Sequence, residues 1–162
     1  MGKLVVMILL GCFLCGCTGQ EVMETVADEL VVPALAQLRE ISVSLPDNAV
    51  APAAGNGGAQ IYYSDDYEIV LETVSSGDLN GTIRAMSGYG PEKLTIVQTR
   101  RNGADCHEFV WACAGETGER LGRGIILDDG HYHYCMSVLR DVPGEEKSQI
   151  VWDQVFSSFT LV

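Results

Sequence analysis

The chain has 162 residues, 47% of them hydrophobic, and a formal net charge of −12, with 10 Lys and Arg against 22 Asp and Glu. That length supplies one ordinary domain with a sizeable core. A polyanion of this size is repelled by phosphates and anionic headgroups, which argues against a nucleic-acid partner; the acidity serves solubility.

Residues 1–19 read MGKLVVMILLGCFLCGCTG. Lys3 precedes an apolar run from Leu4 to Leu14, then small residues and cysteine follow. The run is too short to span a bilayer as a helix and has the proportions of a secretory h-region. Leu14-Cys15-Gly16-Cys17 resembles the bacterial lipobox. That resemblance implies a signal peptide over 1–16, a diacylglycerol on the thiol of Cys17, and cleavage just before it. The mature chain would then sit on the extracytoplasmic face of a bacterial cell membrane, held by a lipid anchor. Leu9-Leu10-Gly11-Cys12 resembles the motif too, with a shorter h-region and a bulkier second residue, so Cys17 is preferred. Two or three acyl chains anchor durably where one does not.

Residues 17–37 form a tether or short helix, since Glu21–Leu38 is helical in composition but interrupted by Pro33; a single α+β domain occupies 38–162. Ile41–Leu45 alternates as a strand and is stopped by Pro46 and Asp47. Asn48–Ala59 is a loop rich in Pro, Ala and Gly. Ile61–Tyr63 and Tyr67–Val74 flank Ser64-Asp65-Asp66 as a hairpin. Ser75-Ser76-Gly77-Asp78 opens a short helix carrying Leu79, Ile83 and Met86, and Gly88 and Gly90 close it before Pro91. Leu94–Thr99 is a strand, and Arg100-Arg101-Asn102-Gly103 turns the chain into a three-strand meander over Cys106–Ala114, Glu119–Leu127 and His131–Arg140. Gly115–Gly118 and Asp128-Asp129-Gly130 supply its turns. A closing amphipathic helix over about 145–158 presents Val151, Trp152, Val155, Phe156 and Phe159 to the sheet. The expected fold is α+β: a curved antiparallel sheet of about six or seven strands, packed by this C-terminal helix and by the second short helix.

Alternation proposes a register for the meander. One face carries Phe109, Trp111, Cys113, Gly122, Gly124, Ile126, Tyr132, Tyr134, Met136 and Val138 and is the core face. The other carries Cys106, Glu108, Val110, Arg123, Ile125, His131, His133 and Cys135, and is partly wet. Cys106, Cys113 and Cys135 are the cysteines beyond the leader. Cys106 and Cys113 point to opposite faces, as do Cys113 and Cys135, while Cys106 and Cys135 are offset along the strands. No intrachain disulfide is expected.

The chemistry candidates are few. His131, His133 and Cys135 share one strand face at a spacing that presents zinc-type ligands, with Glu108 as a fourth; the bland alternative is surface histidines and a half-buried thiol. Cys106 and His107 are adjacent on a strand and point apart, which excludes a nucleophile–base pair. Asp65-Asp66 and Asp128-Asp129 suit turns. No phosphate-cradling loop, nucleophile elbow or metalloprotease helix is present.

Ile41–Pro46 (ISVSLP), Trp152–Phe159 (WDQVFSSF) and the element order between them resemble the PsbP-like fold, shared by the photosystem subunit PsbP, the nuclear import factor Mog and several bacterial lipoproteins. Characterised members mostly bind a protein partner and share no catalytic residues, so the resemblance carries over no site residue. The reading is a non-catalytic, lipid-anchored binding or assembly protein without a cofactor, whose partner is a protein or another envelope component. The alternative is a small metal-binding lipoprotein using the His131/His133 face.

Overall fold

The computed structural model describes residues 36–162 apart from 51, 55–57, 65–66, 116–117 and 142–145. The expected signal peptide, the lipidation candidates Cys17 and Cys12, and most of the 17–37 tether lie outside the described residues. The described residues form an α+β domain. Its strands are β1 (Ile41–Ser42), β2 (Ala53–Ala54), β3 (Gln60–Ser64), β4 (Tyr67–Ser75), β5 (Ile96–Arg101), β6 (Ala104–Ala114), β7 (Glu119–Asp128), β8 (Tyr132–Asp141) and β9 (Thr160–Leu161); its helices are α1 (Leu79–Ser87) and α2 (Glu146–Ser158). Seven strands form one antiparallel sheet in the order β2-β3-β4-β8-β7-β6-β5, and β1 pairs with β9 in a separate ribbon.

Local chemistry explains most of these boundaries. Asn102 and Gly103, both at positive φ, make the two-residue turn between β5 and β6. The Asp78 carboxylate accepts the Gly81 N–H at 2.8 Å and so caps α1, while left-handed Gly88 ends that helix by donating its N–H to the Arg84 carbonyl. Within β7, Gly122 and Gly124 lie opposite Trp111 and Phe109, whose rings cross over them. A Cβ on Gly122 would stand 2.0 Å from Trp111 Cε2, so the missing side chain is the space the indole occupies.

A helix packs on each sheet face, so the face expected to be partly wet also carries a core, although part of it stays exposed around Val97 and Val110. On one side Cys106, Ile125, Leu127, Tyr134, Met136 and Val138 pack with Trp152, Val155 and Phe156 of α2. On the other, Phe109, Trp111, Ile126 and Cys135 pack with Ile83 of α1. The expected register is right between β6 and β7 and three residues out for β8, where Leu127 lies opposite Tyr134 and not His131. Asp128 pairs with His133 rather than closing a tighter turn, because the Asp129 carboxylate accepts the N–H groups of His131 (2.9 Å) and Tyr132 (2.8 Å) and holds a longer loop. Tyr132, Tyr134, Met136 and Val138 therefore share the α2 face with Cys106 and Ile125, while His133 and Cys135 turn towards α1.

Asp129 is locked further by the Tyr134 hydroxyl, which donates to it at 3.0 Å and accepts the Arg39 N–H at 3.0 Å. Burial works against ionisation of Asp129, but these donors outweigh it and hold the carboxyl below its ordinary range. At the other end of the α2 face, Arg101 donates to the Phe156 carbonyl at 2.7 Å and the Phe159 carbonyl at 3.0 Å, capping the helix C-terminus. Glu108 holds Arg101 at 3.2 Å and Arg123 at 3.1 Å.

Candidate functional site

α2 does not cover its sheet face completely. Beyond Trp152 and Phe156 no other described residue covers the last rows of β6, β7 and β8, and they form a cleft of about 160 Å³. Its floor is Val110, Leu121 and Val138, its helix wall Trp152 and Phe156, and its polar rim Arg123, Arg140 and Asp153. Trp152 is fastened by an edge-to-face contact with Tyr67, ring centroids 5.0 Å apart. Arg123 bonds Asp153 at 2.7 Å and lies 4.2 Å from the Phe156 ring centroid, so the rim is held from both sides. Next to the cleft Val110 is 51% exposed, and Val97 on the neighbouring strand and same face is 57% exposed. The result is an apolar corner with a shallow, pre-formed depression, suited to take a side chain rather than a whole cofactor.

The sequence-predicted metal set is not brought together. His131 is exposed in the turn before β8. His133 and Cys135 are buried under α1, whereas Glu108 is on the opposite face bonding two arginines. Among the described residues no three His, Cys, Asp or Glu side chains are arranged to hold a metal ion. His133 instead pins α1: its Nδ1 lies 2.9 Å from Thr82 Oγ1, and its Nε2 is 3.5 Å from Asp128 Oδ2. Cys106, Cys113 and Cys135 are free. Burial, and next the Glu72 charge, push the Cys135 thiol up, far from the thiolate that a nucleophile or metal ligand needs.

His107, adjacent to Cys106 and excluded as its base, is also buried, and its Nδ1 has no hydrogen-bond partner among the described residues. Burial lowers its pKa; Asp128 and Asp105 pull the other way, and His133 adds to the lowering. The folded state therefore holds fewer protons on this ring than the unfolded chain. Stability contributed by the neutral ring is complete above the ordinary value of 6.5 and is lost as pH falls below it. Urea titrations at a series of pH values are expected to show that decline in the wild type. His107→Gln should flatten it, and an unchanged pH profile would contradict the assignment.

No family model matches the chain, and no curated protein does. Its fold is similar to a solved structure, LpqN, involved in cell envelope biogenesis of Mycobacterium tuberculosis. The two share 11% identity and a TM-score of 0.47, over 78% of this chain and 86% of that one. A likeness of that depth assigns neither family nor function.

The cleft was not legible in the sequence. Val110 falls on the mixed face in a correct reading of β6, but nothing local says where the closing helix stops covering that face. The useful signal was compositional: Val110, Ala112 and Ala114 make the outward-facing set of β6 apolar where a solvated strand carries polar residues.

Proposed function

We propose that this chain is a lipid-anchored, extracytoplasmic binding or assembly protein that catalyses nothing, and that the corner beside α2 is where it binds. The observation that carries the binding half is the exposed apolar patch of Val97 and Val110 running into the cleft of Val110, Leu121, Val138, Trp152 and Phe156. On a strongly acidic, well-solvated domain an apolar surface with a depression in it is the ordinary mark of a contact site. The buried thiols serve packing, and His133, though it stands between the Thr82 hydroxyl and the Asp128 carboxylate, is 1% exposed beneath α1 and so is closed to a substrate. The anchoring half rests on the Leu14–Cys17 motif. The partner is a protein or another component of the cell envelope.

The two halves separate experimentally. Replacing Cys17 by Ala in the full chain should abolish incorporation of labelled palmitate and release the protein from the membrane fraction. Continued labelling would point to Cys12, and labelling of neither would end the lipoprotein reading. For binding, a photo-crosslinking residue at Val110 should give a recurrent adduct in intact cells. The same residue at Gln154, on the exposed side of α2, should not. Equal yields from both positions would contradict the assignment of the site.

A further inference from the structure

The rows of β6 beyond the end of β5 are an unfinished sheet edge. β5 pairs with β6 only from Ala104 to Phe109, yet β6 continues to Ala114. The two-residue turn makes Arg101 and Ala104 a hydrogen-bonded pair, so alternate residues from Ala104 onward direct their N–H and C=O away from β7. The Gly115 N–H to Gly118 carbonyl bond at the far end agrees, because it assigns the odd-numbered residues to β7. Ala112 and Ala114 thus turn their backbone groups to the outside, where no strand among the described residues lies beside them. One of these groups has a partner: the Tyr89 hydroxyl donates to the Ala112 carbonyl at 2.9 Å, from the position a neighbouring strand's N–H would take. No other hydrogen bond among the described residues reaches the outward N–H and C=O groups of Ala112 and Ala114.

Natural edges are usually blunted by charge, proline or a cover. β5 fits that rule, since Arg100 and Arg101 lie along it. The β6 extension does not: its exposed side chains are Val110, Ala112 and Ala114. They are small and apolar, and they lead straight into the cleft.

We infer that the Val110–Ala114 edge of β6 takes up an extended segment of a partner protein by strand addition, with one apolar side chain of that segment seated in the cleft. This deepens the binding function proposed above and rests on it. The occupant's chemistry is set by the surface. Alternate residues must be apolar to lie over Val110 and Ala112. Flanking residues should be basic, because the chain carries −12 overall and the arginines nearest the edge are already engaged by Asp105, Glu108, Asp141 and Asp153. Glu119, opposite Ala114 in the ladder, is exposed to meet them.

A phage-displayed random peptide library panned on the mature domain supplies the probe, followed by synthetic versions of the selected peptides. The expected peptides alternate apolar residues between Lys or Arg and slow hydrogen exchange at the Ala112 and Ala114 amides. Ala112→Pro should weaken them by at least about tenfold while leaving the fold intact, because it removes an outward N–H on an edge. Val110→Lys, which keeps the backbone, should weaken them as well. Peptides that are lost with Leu121→Asp but indifferent to Ala112→Pro, and that protect neither amide, would overturn strand addition while leaving the cleft as a binding site. Peptides insensitive to all three changes would overturn both. Protection that grows with protein concentration and no peptide would give the edge to a second copy and overturn the foreign strand.

Discussion

Phe156→Ala is expected to destabilise the domain by about 3–5 kcal/mol, the range for removing a buried aromatic side chain. Phe156 is 1% exposed and belongs to the cluster that joins α2 to the sheet. Its ring also carries the Arg123 guanidinium, and its carbonyl is one of the two that Arg101 caps. Truncation leaves the cap in place but empties the space beneath it and frees Arg123 from the ring. The measurement is the urea midpoint at unchanged slope, with Gln154→Ala on the exposed side of α2 as a control expected within about 0.5 kcal/mol of wild type. A loss under about 1 kcal/mol would show that α2 is not what closes this face.

Gly122→Val should be the second severe change, and for the opposite reason. It adds volume at a point where a Cβ alone would meet three atoms of the Trp111 indole, the farthest at 2.5 Å. Trp111 is itself only 6% exposed, so the ring must leave its place or the strand must move. Overpacking of this kind costs about 1–3 kcal/mol or more. In a Trp152→Phe background, where Trp111 is the one remaining tryptophan, its emission should shift to the red as the ring becomes wet. Gly124→Ala should be milder, since the Phe109 ring tip at 2.8 Å and the Met86 methyl at 3.2 Å have more room to yield. Trp111→Leu combined with Gly122→Val should recover stability over Gly122→Val alone; a purely additive loss would mean the two residues do not share this space.

The parts of the fold that could be read from the sequence are those decided within a few residues. Asn102-Gly103 dictates its turn whatever the rest of the chain does. Asp78 and Gly88 bound α1 by hydrogen bonds to their own helix. The stripe of Trp152, Val155 and Phe156 declares a buried helix face. Sequence and structure part where a side chain alters the count between elements. Asp129 accepts two backbone N–H groups in the β7–β8 loop, and the odd shift of register that goes with it turns every side chain of β8 to the other face. The same miscount supplied Glu108 as a fourth ligand: His133 and Cys135 do share a face, but under α1, His131 stands in the turn before β8, and Glu108 belongs to the arginines beneath α2.

Three further features depend on residues far away in the chain. The β9 strand at Thr160–Leu161 exists because β1 passes beside it. Cover for the second face comes from α1, which belongs to the crossover between β4 and the far edge strand β5. The open corner is the remainder once α2 has been placed, so it is a property of packing and not of any motif.

Strand addition at this corner requires β6 to have an unpaired apolar edge at its far end. Amide hydrogen exchange, resolved residue by residue on the mature chain alone at low concentration, tests that directly. The expected pattern alternates: Trp111 and Cys113, bonded to β7, exchange slowly, while Ala112 and Ala114 exchange at rates close to those of an exposed loop. Slow exchange at all four positions would mean that the edge is already covered, and strand addition there would be contradicted.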